Sequence, residues 1–302
     1  MSFSTIAKWG ISPGFPIVTM SQADRRFSMD HMVTVGAKLC RIDITATGSF
    51  TTFDPVVDDA VVRGLDPYLC LYGTTGVRSV DTWGQQTAAH YLGKATFIEV
   101  CNEPDLHGWT ANGYADFVSG TYDSIKLGNP NAVVIAGALW KGGGLAAANG
   151  PKAMVQALIT RAAGKFDAIS MHLYDWSGAH GASSIWDWAF EWGGVGFCDN
   201  GANGGTVRKL LNDNGLSAIP ILNGETAVKL GAGTLQDQAD GVGDNMDQVL
   251  NGKTPLYNHF EMLMADTTNQ FALLDASRLP KPNYTKYQSK AKARKQPQAM
   301  MF

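Results

Sequence analysis

Eight short apolar runs, each followed by a stretch with helical spacing or a helix stop, constrain this 302-residue chain more than any other feature. The runs fall at 8–11, 38–44, 67–72, 96–101, 132–137, 167–172, 219–223 and 256–263. Between them, residues 54–62 read as a helix with Asp54 as cap and Pro55 at its first position. Residues 114–127 read as another, stopped by Gly128-Asn129-Pro130, and 152–163 as a third, stopped by Gly164. Near-continuous apolar strands alternating with helices indicate a parallel sheet covered on both faces. Closing that sheet removes its edges. The expectation is an α/β chain, a TIM (β/α)8 barrel forming one domain over 1–302, with a basic helix or tail from about residue 284. The rival is an open, doubly wound sheet that binds a nucleotide. Gly142-Gly143-Gly144 follows the fifth run, but it is not the G-x-G-x-x-G that opens a helix, and no P-loop pattern occurs.

The chain carries a formal net charge of -3, so it lacks the basic footprint that phosphate binding requires, and nucleic acid is not an expected partner. Cys40, Cys70 and Cys101 lie in apolar runs, Cys198 lies in a loop, and no C-x-x-C occurs, which favours buried thiols over a disulfide framework. The first residues show neither a basic segment nor an apolar core of a secretory signal, which points to the cytoplasm or a virus particle. No apolar run approaches the ~18 residues of a spanning helix, so no membrane partner is expected.

In such a barrel the active site lies where strands end, so polar residues at those places are the candidates. They are Arg41 and Asp43 on run 2, Asn102-Glu103-Pro104-Asp105 after run 4, His172 and Tyr174 at run 6, and Asn223 and Glu225 at run 7. Two carboxylates facing each other across the mouth are what glycosidic cleavage needs: one protonates the leaving oxygen while the other attacks the anomeric carbon. A retaining pair stands about 5–5.5 Å apart, an inverting pair about 6.5–9.5 Å. Arg41 is the natural partner of Glu225 and is expected to hold its pKa low, whereas desolvation and a like charge are expected to raise that of Glu103.

The segment from Phe97 to Leu106, with Asn102-Glu103-Pro104 at its centre, resembles the fourth-strand signature of the clan A retaining glycoside hydrolases, and its flanks resemble family 39 and its relatives. Arg41 is similar to the clan's strand-2 arginine, His172 and Tyr174 to its strand-6 pair, and Glu225 to its strand-7 nucleophile. Asn129-Pro130-Asn131-Ala132, Leu274-Asp275-Ala276 and Pro280-Lys281-Pro282 also read like members of the group. The resemblance implies a retaining hydrolase acting on an oligo- or polysaccharide, with Glu103 as acid/base and Glu225 as nucleophile. It further implies that Asn102 meets the sugar 2-hydroxyl and that His172 and Tyr174 orient the sugar and Glu225. Cys101 stands where family 39 usually has Trp, Thr226-Ala227 follows the nucleophile position differently, and strand 8 lacks a Trp to floor the sugar.

Glu99, inside run 4, is expected to make a buried hydrogen bond or ion pair. Glu261, inside run 8, is the rival acid. His31, His90, His107, His180 and His259 show no metal-binding spacing, so neither a metal nor another cofactor is expected. Trp83, Trp109, Trp140, Trp176, Trp186, Trp188 and Trp192 follow strand ends, where indoles can stack on sugar rings; Trp140 and Trp176 are taken as substrate-binding. Trp176, Trp186, Trp188 and Trp192 sit in one long loop and either wall the cleft or pack the loop against itself. Five cations at 286–295 read as a solvated final helix or a tail that anchors the chain in a larger assembly. The competing function is a carbohydrate-binding or structural barrel without turnover, such as a phage-tail component. A pure binder has no need of two opposed carboxylates.

Overall fold

A computed structural model of the chain describes residues 9–14, 17–45, 49–72, 80–140, 149–174, 207–230, 233–250, 255–260, 262–263 and 271–293. Eight parallel strands close into a barrel in sequence order: β1 (Trp9–Ser12), β2 (Leu39–Thr45), β3 (Asp66–Tyr72), β4 (Phe97–Val100), β5 (Val133–Trp140), β6 (Ala168–His172), β7 (Ile221–Thr226) and β8 (Tyr257–Phe260). The ring is shut by β1 pairing with β8, Trp9 against Tyr257 through Ser12 against Phe260. Eight α-helices surround it among the described residues: α1 (Gln22–Val35), α2 (Phe50–Val62), α3 (Val80–His90), α4 (Ala111–Gly128), α5 (Pro151–Arg161), α6 (Val207–Asp213), α7 (Leu235–Leu250) and α8 (Pro282–Lys292). This is a single-domain (β/α)8 barrel. No helix of the described residues is long and apolar enough to cross a membrane.

The differences from the sequence expectations have local causes. β5 runs three residues further, to Trp140, because Gly137 (φ 122°) and Ala138 (φ 57°) form an irregularity that shifts the register against β6 without ending the strand. β7 does not stop at Asn223 but passes through Gly224 to Thr226. A Cβ at Gly224 would sit 2.0 Å from Ser170 Oγ and 2.9 Å from Glu99 Oε1, so glycine is there to let the strand pass close to its neighbours. α2 begins at Phe50, with Ser49 Oγ accepting from the Thr51 N–H at 3.3 Å. Asp54 is not its cap; the carboxylate instead meets His90 Nε2 at 2.7 Å, and Pro55 lies inside the helix. α4 starts at Ala111 because Thr110 Oγ1 accepts the Gly113 N–H at 3.1 Å.

One apolar layer lies between strands and helices, where Ile42, Leu69, Ile98, Val134 and Ile169 meet Met29, Val57, Tyr114 and Leu158. A second fills the lower barrel with Leu39, Tyr68, Phe97, Val133, Ile135, Ala168, Leu222 and Leu256. Above it the interior becomes ionic: Glu99, wholly buried, takes Arg41 Nη2 at 3.0 Å and the Tyr68 hydroxyl at 3.0 Å. Cys40 and Cys70 are buried thiols, and the buried Cys101 directs its thiol at the Asn102 carbonyl at 3.7 Å; Cys198 lies outside the described residues. α8 is docked rather than solvated. Tyr284, Tyr287 and Ala291 are buried, the Tyr287 hydroxyl donates to the Gly10 carbonyl at 3.1 Å, and Lys286 and Lys290 pair with Asp240 and Asp247 of α7. The proposed assembly tail beyond it, 294–302, and Glu261 lie outside the described residues.

Two stability predictions follow from buried charges. His259 is fully buried; burial pushes its pKa down to about 3, outweighing its bond to the Phe271 carbonyl at 3.2 Å. The unfolded chain takes up that proton below pH ~6.5, but the folded one does not until far lower. Its contribution is therefore complete above pH ~6.5 and is lost as pH falls toward 3, on the order of a few kcal/mol. Urea unfolding at pH 7 and pH 4 should show a smaller pH loss for His259→Gln than for the native chain; equal losses would refute the assignment. Glu99→Leu should cost about 3–5 kcal/mol by leaving Arg41 partly unpaired, and adding Arg41→Leu should cost less than the two single changes together. Additive costs would show that the pair does not act as a unit.

Candidate active site

Arg41 projects from β2 into the barrel and is almost wholly buried, yet all its nitrogens are engaged. Nε and Nη2 donate to Glu99 Oε2 at 3.2 and 3.0 Å, and Nη2 also to Asn102 Oδ1 at 2.7 Å. Nη1 holds Asp43 Oδ1 at 3.0 Å and Glu225 Oε2 at 2.9 Å. The rigid guanidinium fork thereby ties β2 to β4 and β7, which a lysine's single ammonium cannot do. The Asn102 amide is oriented by this contact, with its oxygen toward Arg41 and its NH2 as the donor end.

Glu103 follows β4 on a strained backbone. Cys101 (φ 71°) and Glu103 (φ 43°) both adopt left-handed conformations, each costing about 1–3 kcal/mol for a non-glycine residue. The strain is held by a helical turn in which the Leu106 and His107 N–H groups donate to the Glu103 carbonyl at 2.9 and 3.1 Å. Glu103 Oε1 lies 2.9 Å from Nδ1 of the fully buried His172. Glu225 is aimed by the register shift between Met171 and His172, which places it beside His172. Its Oε2 takes Arg41, its Oε1 accepts from the Tyr174 hydroxyl, and His172 Nδ1 stands 4.0 Å from Oε1.

One oxygen of Glu103, one of Glu225 and one nitrogen of His172 lie within 4.8 Å of one another, the one such cluster of metal-ligand atoms among the described residues. Arg41 and Tyr174 already occupy the Glu225 oxygens, and the guanidinium's own charge opposes a cation there. The arrangement offers two carboxyl groups and an imidazole at proton-transfer distances, with Arg41 and Tyr174 orienting them.

The charge landscape runs opposite to the sequence expectation. Burial is the largest influence on Glu225 and raises its carboxyl above the ordinary range; the Glu103 charge adds to it, and His172, Arg41 and the Tyr174 hydrogen bond oppose without overcoming it. Burial also acts upward on Glu103, but the hydrogen bond and charge of His172, with Arg41 and His107, outweigh it and hold the carboxyl low. His172 is raised: burial disfavours its charge, and Glu225 and Glu103 overcome that. Asp43 is raised chiefly by burial, against the attraction of Arg41.

The structure thus brings together Arg41, Asn102, Glu103, His172, Tyr174 and Glu225. Trp140 is the last residue of β5, paired in register with His172, and Trp176, like Trp186, Trp188 and Trp192, lies outside the described residues. Two tryptophans are not on the substrate side. Trp83 is buried in the core from within α3, and Trp109 packs against Phe117 and Tyr114 of α4, with ring centroids 4.8 and 6.1 Å away. The sequence reading missed Phe260 and Phe271, whose rings lie 6.1 and 5.5 Å from that of Tyr174 and fix it against Glu225. It also missed Tyr72 and His107 beside Glu103, although Tyr72 ends β3, the position that should have marked it.

No protein-family model and no curated protein sequence matches the chain. Solved structures do. A family 39 glycoside hydrolase from the gut symbiont Bacteroides cellulosilyticus WH2 superposes with a TM-score of 0.65 at 16% identity, over 90% of this chain and 60% of its own length. A subfamily 18 member of glycoside hydrolase family 5 from Streptomyces cattleya, in complex with Manβ1-4GlcNAc, gives 0.67 at 13% over 97% and 82%. An endo-1,4-beta-mannanase from Rhizomucor miehei gives 0.60 at 12% over 96% and 95%. The chain therefore spans less than two thirds of the family 39 enzyme but nearly all of the mannanase, and its fold is similar to those of clan A (β/α)8 glycoside hydrolases.

Proposed function

We propose that the chain is a retaining glycoside hydrolase that cleaves an oligo- or polysaccharide by double displacement. The observation that carries this is the clustering of Glu103, Glu225 and His172 within 4.8 Å at the barrel mouth, with Arg41 on Glu225. Carboxyl oxygens this near fit a retaining pair and leave no room for the water of an inverting one. The likeness to oligosaccharide-binding barrels supports a carbohydrate ligand. Nothing in the site needs a cofactor for this chemistry.

Ionised Glu225, steadied by Arg41 and Tyr174, attacks the anomeric carbon while Glu103 gives its proton to the leaving oxygen. The glycosidic bond breaks and a glycosyl ester forms on Glu225. Glu103, now a carboxylate, then takes a proton from water, whose oxygen displaces Glu225 and restores the starting state. Asn102 offers its NH2 to the ring's 2-hydroxyl, and Phe260 at the end of β8 supplies an aromatic surface where the expected Trp is absent. Trp140, which ends β5, and Trp176, which follows β6 in sequence, are proposed as sugar-stacking residues.

The two glutamates are separable by experiment. Glu225→Ala should abolish turnover of every substrate, because no ester can form. Glu103→Ala should slow unactivated substrates about 10²–10⁴-fold, while an aryl glycoside with a good leaving group keeps its first step and shows a burst. Azide should restore turnover in Glu103→Ala and give a glycosyl azide of retained configuration. An inverted azide from that variant would reverse the assignment, and a native chain inert on a broad glycan panel would leave only a binding barrel.

A further inference from the structure

The proposed mechanism accounts for the side of Glu103 that faces His172 and Glu225. It says nothing of the opposite flank, where Tyr72 and His107 come together. Tyr72 is the last residue of β3, in register with Thr45 of β2, and His107 lies on the helical turn that begins at Glu103. Their side chains are joined by a hydrogen bond of 3.1 Å between the hydroxyl and Nε2, and their rings meet edge to face at 5.4 Å. Both are only partly buried, unlike Arg41, Glu99 and His172 beneath them.

We propose that Tyr72 and His107 form the wall of the leaving-group subsite and that this wall takes a neutral sugar ring. The inference rests on Glu103 being the acid/base. The leaving oxygen must lie against Glu103, and the sugar attached to it leaves the mouth on the side away from Glu225. Around the ring β3 flanks β4 on the side away from β6 and β7, and Tyr72, which ends β3, brings the pair there. A tyrosine locked by a histidine presents a planar surface to the C–H face of a ring at small entropic cost, with polar edges for its hydroxyls. The charge of the surroundings selects among sugars. Asp43 and Glu103 both act on the Tyr72 hydroxyl, which lies above its ordinary pKa through burial and then these charges. The Arg41 guanidinium is already shared among Glu99, Asn102, Asp43 and Glu225. A uronate or sulfated ring entering here meets the like charge of Asp43 and Glu103, and among the described residues the His107 imidazole beside it is already engaged by the Tyr72 hydroxyl.

The test uses the full chain in two forms. In a Glu225→Ala background, where turnover does not intervene, calorimetry compares methyl glycosides with the matching disaccharides drawn from gluco, manno, xylo and galacto series. The second ring should strengthen binding, and Tyr72→Leu or His107→Ala should remove about tenfold or more of that gain while affecting the single ring less. In the native background, glycosyl fluorides, whose leaving group is too small to reach the wall, are compared with disaccharides of the same sugar. The ratio of disaccharide to fluoride kcat/KM should fall about tenfold or more in both variants. Tyr72→Phe, which keeps the plane, should retain most of the ratio. Equal losses for one ring and two, an unchanged ratio, or a uronate-containing disaccharide bound better than its neutral counterpart would overturn the subsite. Failure to turn over any fluoride with disaccharide binding intact would instead overturn the hydrolase reading, and no sugar binding at all would overturn both.

Discussion

The arrangement of the barrel mouth depends on one buried cation. Arg41 meets Asp43, Glu99, Asn102 and Glu225, which belong to β2, β4, the turn after β4, and β7. Burying a guanidinium is costly unless each N–H finds an acceptor, and here the acceptors come from strands far apart in sequence. The cost is met only when the barrel closes in one register. A one-residue slip of any of these strands would turn its side chain to the helix layer and leave the charge unpaired. The same ion network therefore specifies the fold and aims Glu225, so geometry at the proposed nucleophile is inherited from the barrel itself.

Much of this was legible in the sequence because it rests on local pattern. The eight apolar runs mark the eight strands, and Asn102-Glu103-Pro104 and Glu225 fall at the ends of β4 and β7 as strand-end polar residues do. What escaped depends on packing. Gly224 looks like a strand stop but is an interior residue that close approach to Ser170 requires. Asp54-Pro55 looks like a helix start, yet Ser49 caps the helix one turn earlier. Trp83 and Trp109 follow strands in sequence, but Trp83 lies within α3 and is buried in the core, and Trp109, just before α4, packs against Phe117 and Tyr114. Tyr72 and His107 are 35 residues apart, and it is the pairing of β3 with β4 that brings them together.

The charges were misread for a related reason. Counting partners along the sequence makes Glu225 the low-pKa group because Arg41 faces it. Burial, which a sequence does not display, outweighs Arg41 at Glu225, whereas Glu103 owes its lower pKa to a histidine contact only 2.9 Å long. Position, not the direction of these shifts, carries the proposed roles.

Those directions nonetheless suit a double displacement. His172 lies 2.9 Å from Glu103 and 4.0 Å from Glu225, and its charge is opposed by burial and by the charge of Arg41, while the two carboxylates favour it. The 2.9 Å contact is a direct path for a proton between Nδ1 and Oε1, and in the proposed cycle it supplies Glu103 as an acid although its carboxyl is held low. Forming the ester on Glu225 deletes one of the two negative charges on which the imidazolium depends. The nearest like charge to Glu103 disappears at the same moment, which favours its carboxylate. In the proposed cycle the state of Glu225 thus sets the state of Glu103: an ionised nucleophile keeps a proton at hand for the leaving group, and an esterified one leaves a base ready for water.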